Sequence, residues 1–146
     1  MKIALGCDHG GVNLKETIKK YLISKNITVK DFGTYSSDSV NYPDYAFKVS
    51  TSVASKECDL GILCCGTGIG MSIAANKCKG IRAAVVGDCF SAKATREHNN
   101  TNVLCLGERV TGEGLALTIL DTWLNAEFEG GRHSERLALI ENIENM

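Results

Sequence analysis

Short apolar runs separated by longer stretches of helical period constrain this chain more than any other feature of its sequence. Such alternation is the pattern of an α/β fold with a mostly parallel sheet. The strand-like runs lie near Lys2–Gly6, Thr28–Phe32, Leu60–Cys64, Ala83–Val86 and Val103–Leu106. In a first helix Leu14, Ile18 and Leu22 fall four apart on one stripe, with Lys15 and Lys19 assigned to the polar side. Pro43 suits the first turn of a second helix, and Asp44 sits well beside its positive end. A third helix follows Gly70, and a fourth covers Ser91–His98. A fifth, Gly112–Leu124, turns Ala116, Leu120, Trp123 and Leu124 inward. The tail from Ser134 to Asn145 reads as a sixth, with Leu137 and Ile140 as its apolar contacts and Gly130-Gly131 setting it off. With no internal repeat or low-complexity stretch, residues 1–146 read as a single domain.

Composition removes several classes of function. Sixteen Lys plus Arg against seventeen Asp plus Glu leave a net charge of −1 and no basic stripe, so no nucleic-acid partner is expected. No apolar run approaches the length of a membrane span, and Met1–Leu5 runs straight into the first strand without a signal peptide. A soluble, cytoplasmic protein is the expectation. The seven cysteines are odd in number, lack a C-x-x-C and have no histidine at zinc-like spacing. Neither a disulfide framework nor a metal is indicated, and most of the thiols read as small buried apolar groups.

Open α/β sheets place their sites at the carboxyl edge of the strands. There the first strand delivers Cys7-Asp8-His9-Gly10-Gly11, the third Cys64-Cys65-Gly66-Thr67-Gly68-Ile69-Gly70, and the fifth Gly107-Glu108-Arg109. Glycines at 66, 68 and 70 before a helix allow backbone N–H groups to converge on an anion. A tight turn without a ligand would show the same glycines. The spacing is neither a Walker loop nor G-x-G-x-x-G, which weakens a dinucleotide reading, although Asp88 lies about where a ribose-binding acid would sit. Cys65 precedes the turn, and a thiol at a helix start is biased toward thiolate. Its neighbour Cys64 points the other way in a strand and fits a core role. Arg132 and Arg136 share a helix face suited to a phosphate, although such a pair is more often a solvated face partnered with Glu135. His9 and His98 both fall in site loops, though a lone histidine is more often structural.

Taken together, Gly6–His9, Cys65–Lys77, Gly80–Ala83, Glu97–Asn102 and Glu129–His133 closely resemble the type B ribose-5-phosphate isomerases, in order and over Lys2 to about Ile143. The wider family includes galactose-6-phosphate and allose-6-phosphate isomerases. The resemblance implies a Rossmann-like three-layer α/β/α sandwich with a five-stranded parallel sheet. It also implies dimers, some paired into tetramers, that need no metal or cofactor. Cys65 matches the base that moves a proton between C1 and C2, and His98 the residue that opens the sugar ring. Asp8, His9, Gly66, Thr67, Gly68, Ile69, Gly70, Asn99, Arg109, Arg132 and Arg136 match substrate-binding positions. One branch of the family carries Ser at the Cys65 position and a glutamate four residues on; here that later position is Ile69, so the chain is similar to the cysteine branch. In the family, His98 and its neighbours reach the partner subunit's site.

The implied reaction interconverts ribose 5-phosphate and ribulose 5-phosphate through ring opening and an enediolate. The Gly66–Gly70 amides and the Thr67 hydroxyl would stabilise the developing charge, and Asp8 would relay protons between sugar oxygens. Three alternatives stand beside it: an isomerase of a 6-phosphohexose, a nucleotide-binding module built on the glycine turn and Asp88, and a non-catalytic partner subunit.

Overall fold

A computed structural model describes all residues, Met1–Met146. Five strands, β1 (Lys2–Cys7), β2 (Thr28–Asp31), β3 (Leu60–Cys65), β4 (Ala83–Val85) and β5 (Val103–Gly107), form one sheet in the order β2-β1-β3-β5-β4. Every pairing is parallel. Six helices accompany them: α1 (Val12–Ser24), α2 (Tyr42–Ala54), α3 (Ile69–Ala75), α4 (Cys89–Glu97), α5 (Glu113–Asn125) and α6 (Arg132–Glu144). The expected α/β/α sandwich is therefore present, with strand bounds within a residue or so of the apolar runs.

Side-chain alternation along the central strands divides the core into two layers. Ile3, Leu5, Cys7, Ile62, Cys64, Leu104 and Leu106 face α1 and α5, where Leu14, Ile18, Leu22, Ile119, Leu120 and Trp123 meet them. Ala4, Leu63, Cys65, Val103 and Cys105 face α2 and α3, against Ala46, Val49, Val53, Met71 and Ala75. Cys64 and Cys65 thus lie on opposite faces, as strand geometry requires. Burial drives the Cys64 thiol well above its ordinary value and that of Cys7 up to about 12, so both behave as apolar packing groups.

Two expectations change. Lys15 is not on a polar side of α1: it is fully buried, and its Nζ donates to both Asp31 carboxylate oxygens at 2.8 Å. Glu16 approaches at 3.2 Å and the Tyr35 ring lies 4.4 Å away. Burial alone would depress the Lys15 ammonium, but the bonds to Asp31 and Glu16 hold it above its ordinary value. Burial likewise raises Asp31, and bonds from Lys15, Gly33 and Lys19 outweigh it and keep the carboxyl low. Helical period placed Lys15 correctly beside Leu14 and Ile18; it could not show that Asp31, at the end of β2, waits above it. The second change is α6. It buries only His133, and Ile140 is half exposed, with Leu139 and Ile143 more so.

The chain leaves β1 in one direction to form β2 and in the other to form β3, so the carboxyl ends of β1 and β3 flank a topological switch point. Register brings the three site loops to one level, with Cys7 beside Cys64 and Cys65 beside Gly107. Gly107 is obligatory there, since a Cβ on it would stand 2.6 Å from the Thr67 backbone.

Candidate active site

At the carboxyl edge, β3 ends in Cys65, which is buried to 6% exposure. The turn beyond it reverses through Gly68 at φ +82°, a left-handed conformation that glycine adopts without penalty. That reversal aims the Gly68 N–H at the Cys65 sulfur, 3.0 Å away. A hydrogen bond of this kind is stronger to a thiolate than to a neutral thiol. The Ile69 N–H is likewise used inside the turn, donating to the Thr67 hydroxyl at 3.3 Å. Of the amides between residues 66 and 70, those of Gly66, Thr67 and Gly70 donate to no protein acceptor. The amides left free to meet an anion are thus three rather than five, because Gly68 serves the sulfur and Ile69 the hydroxyl.

Around this turn stand the groups delivered by β1 and β5. Asp8 is nearly buried; one of its oxygens accepts the Gly10 N–H at 2.8 Å, and its own N–H donates to the Cys64 carbonyl at 3.2 Å. His9 Nδ1 accepts the Val40 N–H at 3.2 Å, so in the neutral ring the proton sits on Nε2, free to donate elsewhere. Backbone bonds from Glu108 to the Cys65 carbonyl (2.9 Å) and from Arg109 to the Gly66 carbonyl (3.0 Å) bind the β5 loop to the turn. Glu108 Oε1 accepts the Leu14 N–H at 2.6 Å, tying the start of α1 to the same loop. The exposed Arg109 side chain lies across Gly66, where a Cβ would come within 3.3 Å of it. Tyr42, absent from the sequence reading, closes the other side: its ring would stand 2.8 Å from a Cβ on Gly70. Its place beside Pro43 at a helix start was the available signal.

The remaining predicted residues gather elsewhere. Helix α4 leaves the carboxyl edge after β4 and runs back along the sheet, so its end lies at the amino edge. There His98 caps the helix, followed by Asn99. The Glu129 N–H donates to the Glu97 carbonyl at 3.0 Å and draws the start of α6 alongside. In consequence the His133 ring stacks on His98, centroids 4.3 Å apart and planes 13° from parallel. Burial first, then His98 and Arg132, hold the His133 imidazole below its ordinary value. The sequence reading gave His133 no place in this cluster, since a third lone histidine carried no spacing signal. Arg132 and Arg136 are both exposed, and neither they nor Arg109 has a carboxylate within 4.0 Å. The solvated pairing of Arg132 with Glu135 is not formed. One chain therefore brings together Asp8, His9, Cys65, Thr67 and Arg109 at one edge, and His98, Asn99, Arg132 and Arg136 at the other.

Asp88 is committed to structure. It caps α4, with Ser91 donating to its two oxygens from N–H (2.7 Å) and hydroxyl (2.8 Å). These bonds hold its carboxyl below the usual range and take the acid that a nucleotide-binding reading requires.

A parallel sheet whose switch-point crevice holds a thiol, free amides and the unpaired Arg109 has the makings of a small-molecule enzyme acting on an anionic substrate. The chain belongs to the ribose/galactose isomerase family, which matches it over residues 3–140. It is 52% identical over 143 residues to ribose-5-phosphate isomerase B of Escherichia coli, covering 98% of this chain and 96% of that one. Among solved structures, ribose-5-phosphate isomerase B of Clostridium thermocellum superimposes with a TM-score of 0.99 at 56% identity, over 99% of this chain and 98% of that chain. The Mycoplasma genitalium enzyme, solved with bound ribulose-5-phosphate, gives 0.94 at 42% identity, over 99% of this chain and 96% of that one.

Proposed function

We propose that this enzyme, an aldose–ketose isomerase, interconverts D-ribose 5-phosphate and D-ribulose 5-phosphate with Cys65 as base and His98 as ring-opening acid and base. The observation that carries the reading is the Cys65 sulfur held by the Gly68 N–H beside three unpartnered amides. His98 shuttles the proton between the C1 hydroxyl and the ring oxygen, which frees the aldehyde. Cys65 then takes the C2 proton, and the electron pair moves onto the carbonyl oxygen to give an enediolate. The free amides of the turn, with the Thr67 hydroxyl, stabilise that charge. Asp8 passes the O2 proton to O1, and Cys65 returns its proton to C1, which leaves the ketose. Arg109, Arg132 and Arg136 bind the phosphate, with His9 and Asn99 on the sugar hydroxyls.

Because Cys65 and His98 lie at opposite edges of one sheet, a complete site takes His98, Asn99, Arg132 and Arg136 from a second copy. The working unit is a cytoplasmic homodimer. Exposed Ile69, Ile73, Val85 and Phe90 near the carboxyl edge supply apolar surface for that contact. Cys65→Ala should abolish isomerisation of ribose 5-phosphate and leave binding of the phosphorylated sugar intact. Cys64→Ala, in the opposite core layer, should lower stability and spare turnover. Equal catalytic losses at both positions would remove Cys65 from the role of base.

A further inference from the structure

Beside the stacked histidines lies a third donor that the isomerisation does not use. His133 Nε2 stands 3.6 Å from a Glu129 carboxylate oxygen, and donor atoms of Glu129, His133 and His98 all fall within 4.8 Å of one another. We propose that these three side chains form a reversible site for Zn²⁺, and that its occupation withdraws His98 from catalysis.

Two imidazoles and a carboxylate are a donor set that zinc accepts. Metal–ligand distances of about 2.0–2.1 Å set donor separations in a tetrahedral site at about 3.4 Å. The Glu129–His133 pair is already close to that spacing at 3.6 Å, and since no donor pair is wider than 4.8 Å, no gap has to close by more than about 1.4 Å. His133 is suited to the part: it is buried and fixed through its backbone N–H to the Gly130 carbonyl at 3.1 Å. Glu129 is anchored through its own backbone to Glu97. The third donor has to move. The rings are nearly parallel, so no ion can lie in both ring planes, and exposed His98 must turn about its Cβ–Cγ bond to present a nitrogen. Stacking holds it at the correct end of α4 for that turn. Arg132 and Arg136 oppose a dication here, which makes the site reversible rather than structural.

The inhibitory consequence rests on the reading of His98 as the ring opener; binding does not. The experiment uses Glu129→Gln, which alters no residue of the isomerisation. Without added metal its turnover should equal that of the parent. Zinc chloride should inhibit the parent, EDTA should reverse it, and the variant should need about 10–100-fold more zinc for the same loss. Cobalt, a spectroscopic stand-in for zinc, should give visible absorption bands with the parent that weaken in the variant. Equal zinc sensitivity of the two proteins would place the inhibitory ion elsewhere, with the Cys65 sulfur the foremost target, and overturn the proposal. Absence of Glu129-dependent cobalt bands would overturn it as well. Glu129-dependent binding that leaves turnover untouched would uphold the metal site and refute the role given to His98.

Discussion

The sharpest consequence of the proposed site is that two dead proteins should make one live one. Asn102 lies beside Gly61, whose N–H donates to the Asn102 carbonyl at 2.9 Å, and Cys65 follows four residues further along the strand. At about 3.3 Å per residue that rise alone is about 13 Å, before any lateral offset. His98 sits four residues before Asn102, at this lower level. A base and a ring-opening group must each approach within about 3 Å of atoms of one five-carbon sugar. In the proposed arrangement the Cys65 and His98 that serve one sugar therefore come from two chains. Cys65→Ala and His98→Asn should each lower turnover by about 10²–10⁴-fold, the range for general acid–base groups. In a heterodimer of the two, one site has neither group and the other has both. Isolated through two different affinity tags, it should regain about half the turnover of the parent dimer, as the symmetry of a two-fold assembly requires. The assay is ribulose 5-phosphate formation per dimer. A heterodimer no more active than the mean of its parents would place both groups in one chain's site and refute the shared arrangement.

Two further predictions concern groups that the chemistry does not touch. Lys15→Met leaves the nearly buried Asp31 with Lys19 as its remaining cation, and should cost about 3 kcal/mol in urea unfolding, the lower end for breaking a buried pair; a loss below the scatter of the measurement would show the pair to be dispensable. For His133 the folded state disfavours the proton, so the unfolded chain binds more protons as pH falls below about 6.5. Stability should therefore rise with pH through that window and level off above it, and His133→Asn should flatten the dependence of Tm on pH between about 5 and 7.

Much of this architecture was legible because local and tertiary signals agree. The stripe of Leu14, Ile18 and Leu22 and the apolar runs at Leu60 and Val103 are both the pattern and the core. Pro43 and Asp44 start α2 where their chemistry favours a helix start. Legibility failed where a residue's role depends on something far along the chain. Lys15 is buried only because Asp31 arrives at the end of β2, and His133 matters only because Glu129 docks on Glu97. Ile140 looked like a core residue because period alone does not say whether a partner lies within the same chain. The glycine turn was recognised as a unit, but the division of its amides between sulfur, hydroxyl and open space depends on the Gly68 dihedral, which no residue pattern encodes.

The sheet order carries a consequence for synthesis. Strand β4 pairs with β5 alone, and β5 enters between β3 and β4. As the chain emerges, Ala83–Val85 has nothing to bind until Val103–Gly107 follows, so β2, β1 and β3 wait as a three-stranded raft with one raw edge. Glu108 and Arg109, just past β5, donate to the carbonyls of Cys65 and Gly66. A nascent chain thus lacks those two ties on the Cys65 turn until the last strand slots home.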